Sequence, residues 1–423
     1  MSHRPTHAYP RDLVRFAARR WPEGRIPDED GLAAIVETAY HASFLREEDR
    51  PVVFRAIVCE PDEVAAEVAA HDSLHVLRFA TTRPFDEQEV RRLSQAATYE
   101  RALIGVSFDQ GSPVIWGIVH TGPRWLQTAP GNRAMQKLLP DCVALRVARP
   151  GHVALSWGDR PVAELRQGVV GDSRVDVFGS RWLASRFVDT RAEVSELHTL
   201  VNGGIPAVDP DVTRLIGQQL IRRVVAIIRG AHHGGTLLIV PPDCAAALVE
   251  GRYVRLKYPF AEHAARSRFR QLLLPMLREV ASLAGPTEDA GTEHYLRALA
   301  GPLRELDDSM FELAQLIASL AQVDGAVVLD KRFGIMGFGG EIAGDLAAVA
   351  TVRRSLDLEG TRYEEEIVDR VGTRHRSAYR LCNRFHGALA VVVSQDGTVR
   401  FVSWHDGGVT YWDHAALGLS ESA

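Results

Sequence analysis

The sequence predicts an α/β protein with two domains. Amphipathic helical stretches alternate with short runs of aliphatic and β-branched residues, a pattern typical of helices packed on a sheet. The chain has 423 residues, which exceeds the usual length of a single domain. Glycine and proline cluster at residues 203–210. This cluster of turn-forming residues predicts a boundary between a first domain at residues 1–207 and a second at residues 208–423.

Composition indicates a folded protein and limits its partners. Apolar residues make up 46% of the chain and charged residues 24%, as in globular proteins. The net charge of −5 gives no general attraction to nucleic acid or to an anionic membrane, so neither is an expected partner. The sequence shows no bilayer-spanning run and no signal peptide, and its four scattered cysteines form no CxxC pair. We therefore expect a cytoplasmic protein without a zinc site or disulfides.

The first half combines helices with hairpins. Apolar residues at helical spacing predict helices at residues 28–46 and 86–101. Short β-rich runs, several of them joined by turn residues typical of hairpins, predict strands at residues 51–59, 74–79, 103–108, 113–120, 143–147, 152–157 and 162–165. The first half should therefore contain a substantial antiparallel component.

The second half begins with a long helix and contains two conspicuous aliphatic strands. Predicted helices span residues 212–229, 258–280 and 310–320, and predicted strands span residues 234–240 and 388–393. Residues 346–362 have the character of an insertion that could cover a site or mediate contacts. The acidic run at residues 364–366 is typical of a helix start.

Two short motifs in the second half point to nucleotide chemistry. Asp324-Gly325-Ala326 opens an apolar run; small residues let a backbone approach a phosphate, and the carboxylate can hold a metal beside it. The segment from Gly372 to Ser377 reads Gly-Thr-Arg-His-Arg-Ser and concentrates two fixed cations and an imidazole, which suits a triphosphate. Each motif alone fits an ordinary turn or a solvated helix start. Together, each beside an apolar strand, they favour a nucleotide site.

The residue types suggest individual roles. Asp324 is the candidate metal ligand and could polarise an attacking hydroxyl, while Gly325 and Ala326 leave room for the nucleotide. Arg374 and Arg376 would neutralise phosphate charge. His375 would support these arginines by hydrogen bonding. The remaining candidates would contact the nucleotide through hydroxyl groups, backbone N–H groups or close backbone approach: Gly337, Gly339, Gly372, Thr373 and Ser377. For Gly337 and Gly339, turn chemistry at a strand end is the ordinary alternative.

The two motifs resemble those of the diadenylate cyclase domain, the nucleotide-binding module of the DNA-integrity-scanning protein. In that family a DGA motif is followed by a GTRHR motif, and both are intact here. The resemblance covers roughly the C-terminal half of the chain. The N-terminal half resembles the DACNV-type sensor region found fused to such domains. The resemblance implies a cyclase-like domain with a mixed central sheet flanked by helices, preceded by an α/β sensor or regulatory domain.

The resemblance also implies an activity. Members of the family join two ATP molecules into cyclic di-AMP and release two pyrophosphates, with Mg²⁺ or Mn²⁺ as the cofactor. Each domain holds one ATP and two domains face each other. A homo-oligomer with face-to-face cyclase domains is therefore the expected assembly.

The sequence departs from the family at two places, which leaves a second function open. Cys382-Asn383 stands where the family usually has Ser-Glu, and Ser394-Gln395-Asp396 stands where it commonly has Ser-Glu-Glu. If the missing glutamate supports the metal, either Asp396 substitutes for it or the site is weakened. The alternative is a catalytically inactive module that binds ATP or cyclic di-AMP as a sensor.

A weak internal similarity suggests that the first half is a diverged copy of the cyclase fold without its motifs. Both halves contain a Ser-Trp pair in a late hairpin, at Ser156-Trp157 and at Ser403-Trp404, and an earlier strand that reaches glycine, at Gly117 and at Gly337. Chance is the competing explanation. The duplication hypothesis requires the two halves to share a strand order.

Overall fold

The computed structural model describes residues 7–21, 28–65, 75–99, 101–121, 139–158, 160–166, 168–171, 176–201, 206–231, 233–242, 253–261, 263–285, 289–299, 301–343, 346–368, 371–395 and 397–414. Contacts divide them into two compact units, with the boundary between residues 174 and 175 rather than at residue 207. The boundary lies earlier because residues 176–201 pack on the second unit. Trp182 stacks on Trp412 with ring centroids 3.9 Å apart, and Arg186 Nη1 donates to the His386 carbonyl at 3.0 Å.

The first unit has helices on a mostly antiparallel sheet. Its helices are α1 (Pro10–Ala18), α2 (Glu29–Ala42) and α3 (Glu87–Ala96). Its strands are β1 (Arg46–Glu47), β2 (Arg50–Pro51), β3 (Phe54–Val58), β4 (His75–Pro84), β5 (Ala102–Asp109), β6 (Ser112–His120), β7 (Val143–Arg149), β8 (His152–Trp157), β9 (Arg160–Arg166) and β10 (Val169–Gly171). Asp28 and Asp86 cap α2 and α3 through backbone N–H groups in each first turn. The two predicted helices are confirmed, whereas α1 was not predicted.

The sheet of the first unit has the order β10-β9-β8-β7-β3-β5-β6-β4. Strands β3 and β5 are parallel, and the other neighbours are antiparallel. Alternate residues of β3 enter different cores: Phe54 and Ala56 pack with α1 and α2, while Ile57 packs on the opposite face with Trp116.

The second unit is built around a larger mixed sheet. Its helices are a 3₁₀ turn (Val177–Gly179), α4 (Arg181–Ser185), α5 (Val188–Val201), α6 (Pro210–Gly230), α7 (His263–Ser282), α8 (Thr292–Leu299), α9 (Arg304–Leu320) and α10 (Thr373–Arg384). Its strands are β11 (Gly235–Val240), β12 (Val254–Pro259), β13 (Ala326–Asp330), β14 (Ile335–Ile342), β15 (Thr351–Ser355), β16 (Tyr363–Ile367), β17 (Leu389–Val393), β18 (Val399–His405) and β19 (Gly408–His414). The predicted α/β class, with mixed central sheets flanked by helices, is confirmed.

The second sheet has the order β12-β14-β13-β11-β17-β18-β19-β15-β16. Its central strands are buried on both faces, which explains why they read as continuous aliphatic runs. Leu237 and Val327 pack with α6, α7 and α9, whereas Leu238 and Val328 pack on the opposite face with α10. The helix of the second motif therefore has its own core on one face of the sheet.

Three expectations for the second unit are wrong. The acidic run lies in β16 rather than at a helix start, because it pairs with basic residues of β15: Glu364 is opposite Arg354 and Glu365 is opposite Arg353. Strand β15 also continues the sheet beside β19, so much of the presumed insertion is part of the fold. Tyr258 lies in β12 and not in a helix, as expected for a residue before proline.

The two units share a strand order. The sequence β4-β6-β5-β3-β7-β8-β9 in the first sheet corresponds to β12-β14-β13-β11-β17-β18-β19 in the second. In both, the central strand is parallel to one neighbour and antiparallel to the other, and the outer pairs are antiparallel. Helices α2 and α3 precede β3 and β5, as α6 and α9 precede β11 and β13. This is the common topology that the duplication hypothesis requires.

A bulge at the same place in both sheets gives a residue-by-residue alignment. In the first sheet the register shifts just after Gly105 pairs with Gly117. In the second it shifts on both sides of the pair Val328–Gly337, and the shift after this pair is the one aligned with the first sheet. In each case the extra residue belongs to the second strand of the hairpin. The strand glycines Gly117 and Gly337 are therefore equivalent, as the sequence similarity suggested.

The two Ser-Trp pairs, in contrast, are not at equivalent positions in this alignment. When the strand pairings are followed from the bulge across each sheet, Ser156 aligns with Val402. It therefore does not align with Ser403, which is one residue later. Because a shift of one residue changes the face of a strand, Trp157 and Trp404 pack in cores on opposite faces. The shared fold is therefore supported by topology and not by this pair.

Candidate functional site

A cleft of about 660 Å³ lies at the end of the second sheet where β13 begins. This volume is in the range of about 300–1,000 Å³ that is typical of ligand pockets. The lining residues are Thr236, Asp324, Gly325, Ala326, Gly340, Glu341, Ile342, Gly372, Thr373, Arg374, His375, Ser377, Ser394 and Gln395. The cleft thus brings together the two motifs, which are separated by almost 50 residues of sequence.

The first motif joins the end of α9 to β13. Asp324 is exposed to the cleft, whereas Ala326 is buried and pairs with Gly340 of β14. Gly325 has a φ of +117°, and a Cβ placed on it would lie 2.6 Å from the carbonyl carbon of Gly339. The position therefore requires glycine, and its conformation holds the Asp324 carboxylate at the mouth of the strand.

The second motif forms the first turn of α10. Gly372 is the N-cap residue and no side chain caps this end of the helix. The first intrahelical hydrogen bond of the helix end runs from the Arg376 N–H to the Gly372 carbonyl, so the preceding N–H groups have no intrahelical acceptor. Gly372, Thr373 and Ser377 line the cleft. The arrangement is suited to an anion, because the N–H groups and the helix dipole act together.

Arg374 and Arg376 occupy different environments. Arg374 is half-buried and lines the cleft; a Cβ on Gly234, which has a φ of +66°, would lie 2.8 Å from its Nη1 atom. Gly234 therefore leaves the space in which the guanidinium lies. His375 also lines the cleft, and its ring centroid is 6.3 Å from that of Tyr379. Arg376 is exposed and lies outside the lining, so the structure does not bring it to the cleft with Arg374.

A second carboxylate, absent from the sequence-based set, accompanies Asp324. Glu341 of β14 lines the cleft, and one of its carboxylate oxygens lies 2.9 Å from the Lys257 ammonium on β12. This hydrogen bond lowers the pKa of Glu341. It also raises the pKa of Lys257, to which Asp324 makes a further contribution. Two acids therefore line one edge of the cleft, and Lys257, outside the lining, is paired with one of them.

The donor set fits a hard divalent cation held together with a ligand. Mg²⁺ is commonly bound by one or two carboxylates that are completed by substrate phosphates and water. Asp324 and Glu341 supply two such carboxylates. Within the described ranges, no group of three or more His, Cys, Asp or Glu side chains forms a metal site by itself. A cation here would therefore depend on the ligand for its remaining contacts.

Gly337 and Gly339 do not line the cleft and have packing roles instead. A Cβ on Gly337 would lie 2.6 Å from the Tyr258 carbonyl oxygen, so this glycine permits close pairing of β14 with β12. Gly339 has a φ of +63° and lies directly behind Gly325. Gly340, the next residue, is the glycine of this run that reaches the cleft.

The two departures from the family pattern occupy different places relative to the cleft. Cys382 is buried under α10, its Sγ is 3.4 Å from the Val402 carbonyl oxygen, and burial raises its pKa to about 12. Asn383 is not among the lining residues. Ser394 and Gln395 do line it. Asp396, the expected substitute carboxylate, lies outside the described residues.

Three lining residues have no place in the sequence-based analysis: Thr236, Glu341 and Ile342. Ser394 and Gln395, noted there only as part of a departure from the family pattern, also line the cleft. The position of Glu341, directly after two glycines and at the end of a hairpin that returns to the first motif, could have identified it. Thr236 has no comparable signal, because it reads as part of an ordinary aliphatic strand.

The first unit has no equivalent of this site in its sequence. With the bulges aligned, Arg101 occupies the position of Asp324, so a cation replaces the carboxylate. The residues before β7 contain no Gly-Thr-Arg-His-Arg segment. The two units therefore share a fold but not the chemical groups of the cleft.

Comparison with known proteins gives a match in the first unit. Residues 21–120 match the family model described as a probable sensor domain, DACNV, which agrees with the resemblance noted for this half and links the chain to diadenylate cyclases. The matched segment includes α2, α3 and strands β1 to β6. No curated protein matches the chain significantly. Among the helices that the structure describes, none is both long and apolar enough to cross a bilayer.

Proposed function

We propose that the second unit is a diadenylate cyclase that condenses two ATP molecules into cyclic di-AMP and two pyrophosphates. The observation that carries this proposal is the meeting of Asp324, Arg374 and the N-terminus of α10 in one cleft. A carboxylate for a metal and an anion site for phosphates are the two elements that nucleotidyl transfer needs side by side.

The lining residues suggest how the reaction would proceed. Arg374 and the N–H groups of α10 would bind the phosphates and stabilise the charge of the leaving pyrophosphate. The 3′-hydroxyl of one ATP would attack the α-phosphorus of the other. A P–O bond to the hydroxyl oxygen forms as the bond to pyrophosphate breaks, and the hydroxyl proton is released. A second, identical transfer closes the ring.

Asp324 and Glu341 would hold the divalent cation, which supplies charge neutralisation at the phosphates when bound. Thr373 and Ser377 would add hydroxyl contacts to phosphate oxygens. Because one cleft holds one ATP, two second units must face each other for the ring to form. A homo-oligomer is thus part of the proposal.

The first unit would regulate this activity. Its DACNV match supports a sensor role, and its lack of both motifs argues against a second catalytic centre. Its shared topology is consistent with a duplicated cyclase-like fold that has been turned to regulation. The cytoplasm, where ATP is available, is the proposed compartment.

One observation favours a second candidate function, an inactive module that binds ATP or cyclic di-AMP. Lys257 already neutralises Glu341, so a cation must compete with an ammonium for this carboxylate. Incubation of the purified full chain with ATP and Mn²⁺ or Mg²⁺ separates the two functions. A cyclase forms cyclic di-AMP and pyrophosphate, whereas a binding module returns the nucleotide unchanged.

A further inference from the structure

A second, apolar cavity of about 80 Å³ lies in the second unit, away from the nucleotide cleft. Its walls come from α4, α5, α6, α7 and the turn between β13 and β14. Its sheet residues, including Ile239 and Phe401, belong to the core on the face opposite α10. The cavity exceeds several-fold the roughly 10–15 Å³ that one water molecule needs, and its inner surface is almost entirely apolar. An apolar space of this kind is poorly suited to water and well suited to a hydrocarbon group.

Aromatic rings form the wall next to the β13–β14 turn. The ring of Phe333 stacks on Phe187 with centroids 5.8 Å apart and meets Phe269 edge to face at 4.8 Å. On the helix beneath, a Cβ on Gly217 would lie 3.1 Å from the Phe333 ring. Glycine at that position of α6 therefore accommodates the ring.

The backbone of Phe333 is strained. Its φ is +57°, in the left-handed region that residues with a Cβ rarely adopt. Hairpin loops that use this conformation normally place glycine there, yet in this chain glycine is the next residue, Gly334. A bulky side chain kept in a disfavoured conformation at a cavity wall is a feature often found at ligand sites.

The charged residues that line the cavity are mostly cationic. They are Arg191, Arg214, Arg270, Lys331 and Arg332, with Glu193 as the single acid, and three neutral polar residues, Thr190, Thr213 and Gln218, also line it. Glu193 is paired with Arg332 at 2.8 Å, and Arg214 with Asp211 at 3.1 Å. Arg191 Nη1 donates to the Ala184 carbonyl at 2.7 Å. Burial and then the charge of Arg214 lower the pKa of Arg191, and the nearby carboxylate of Asp211 offsets part of this effect. The cavity thus combines an apolar interior with an excess of positive charge.

We propose that this cavity binds a small apolar carboxylate, with a ring or short hydrocarbon chain between Phe187, Phe269 and Phe333 and its acid group at Arg191 and Arg214. Five cationic side chains line the cavity and two carboxylates, Glu193 and Asp211, pair with them, so the net positive charge favours an anionic ligand over a neutral hydrocarbon. A small polar anion would leave the apolar interior empty. The inference is independent of the function proposed for the cleft, because it involves none of the cleft residues. Strand β13 connects the cleft to the cavity, because the cleft residue Asp324 lies before the strand and the cavity residue Lys331 follows it.

The test is binding of benzoate to the full chain, measured by ligand-detected NMR and calorimetry without ATP. Benzyl alcohol serves as the neutral analogue and acetate as the anion without a ring. We expect benzoate to bind more tightly than either. The variant Arg191→Gln should weaken benzoate binding about tenfold or more while leaving benzyl alcohol unaffected, since a hydrogen bond to a charged group is lost. Arg278→Gln, at an exposed position on α7, is the matched control.

A cavity-filling variant locates the site. Leu197→Phe places a larger ring in the lining and should abolish benzoate binding, whereas Leu200→Phe on the same helix, where the side chain is 80% exposed, should not. If Leu197→Phe does not fold, the variant Thr190→Leu, which fills less of the cavity, is tested in its place. Absence of benzoate binding, binding that survives the filled cavity, or equal binding of benzoate and benzyl alcohol would each overturn the proposal.

Discussion

Gly325 and Gly339 are packed so closely that a methyl group on Gly325 would lie 2.6 Å from the carbonyl carbon of Gly339. The contact joins the loop that carries Asp324 to the bulged strand β14. Gly325 also has a φ of +117°, which residues with a Cβ rarely adopt. The geometry of the carboxylate therefore depends on the absence of a side chain at the residue after it.

The first prediction follows from this contact. Gly325→Ala should destabilise the fold by about 1–3 kcal/mol, the usual scale of local backbone strain, and should weaken ATP binding. Thermal denaturation and calorimetry measure the two effects. Gly301→Ala is the control, because a Cβ on Gly301 meets nothing within 4 Å. An unchanged melting temperature for Gly325→Ala would show that the loop adapts easily.

The second prediction concerns the carboxylate itself. Asp324→Asn should reduce formation of cyclic di-AMP roughly 100-fold or more, which is the scale for loss of one electrostatic contact in an active site. ATP binding without metal and the melting temperature should be preserved, because Asp324 is exposed. Glu312→Gln, at an exposed position of α9, is the matched control. Turnover close to that of the unmodified protein would exclude Asp324 as the catalytic metal ligand.

The elements that could be predicted from the sequence are those with a local signal. The helices of α2 and α6 follow from apolar spacing and from Asp28 and Asp209 as N-caps. The aliphatic strands β11, β13 and β17 follow from their composition. The acidic strand β16 could not be predicted, because its stability depends on pairing with Arg353 and Arg354, which only the folded sheet brings opposite it.

The third prediction separates the two arginines of the second motif. Arg374→Ala should weaken ATP binding about tenfold to a hundredfold and adenosine binding very little, because a charge-assisted hydrogen bond to phosphate is lost. Arg376→Ala should change ATP affinity of the single subunit less than about twofold, because Arg376 lies outside the cleft lining. Calorimetry with both ligands measures this difference. Equal losses for adenosine and ATP in Arg374→Ala would assign this arginine a structural role.

The fourth prediction concerns the second carboxylate. Glu341→Gln should raise the Mn²⁺ concentration needed for half-maximal activity about tenfold, since one anionic ligand is lost. Lys257→Met should lower this Mn²⁺ concentration, because the lysine ammonium no longer competes with the cation for Glu341. The pKa of Glu341 rises toward its ordinary value in Lys257→Met, but the group stays ionised at neutral pH, so the effect reports competition rather than protonation. If both variants needed the same Mn²⁺ concentration as the unmodified protein, Glu341 would not be a metal ligand.

The candidate site shows the same division between local and long-range information. Asp324 and the segment from Gly372 to Ser377 were recognisable because each motif is contiguous in sequence. Glu341 has only an indirect signal in the sequence, the two glycines before it, and its place in the cleft follows from the pairing of β13 with β14. Arg376 shares a motif with Arg374, but residues two apart on a helix project in different directions, so the motif alone does not place both in the cleft.

The measurement that tests the proposed activity most directly is the rate of cyclic di-AMP formation per subunit at increasing protein concentration. The purified full chain is incubated with ATP and Mn²⁺ or Mg²⁺, and products are separated by chromatography and identified by mass. We expect cyclic di-AMP and pyrophosphate in a ratio of one to two, as the balance of the reaction requires. The rate per subunit should rise with concentration and then level off, because two facing clefts are needed to close the ring. ATP that is bound but returned unchanged at every concentration, with either metal, would contradict the cyclase function and leave the binding module.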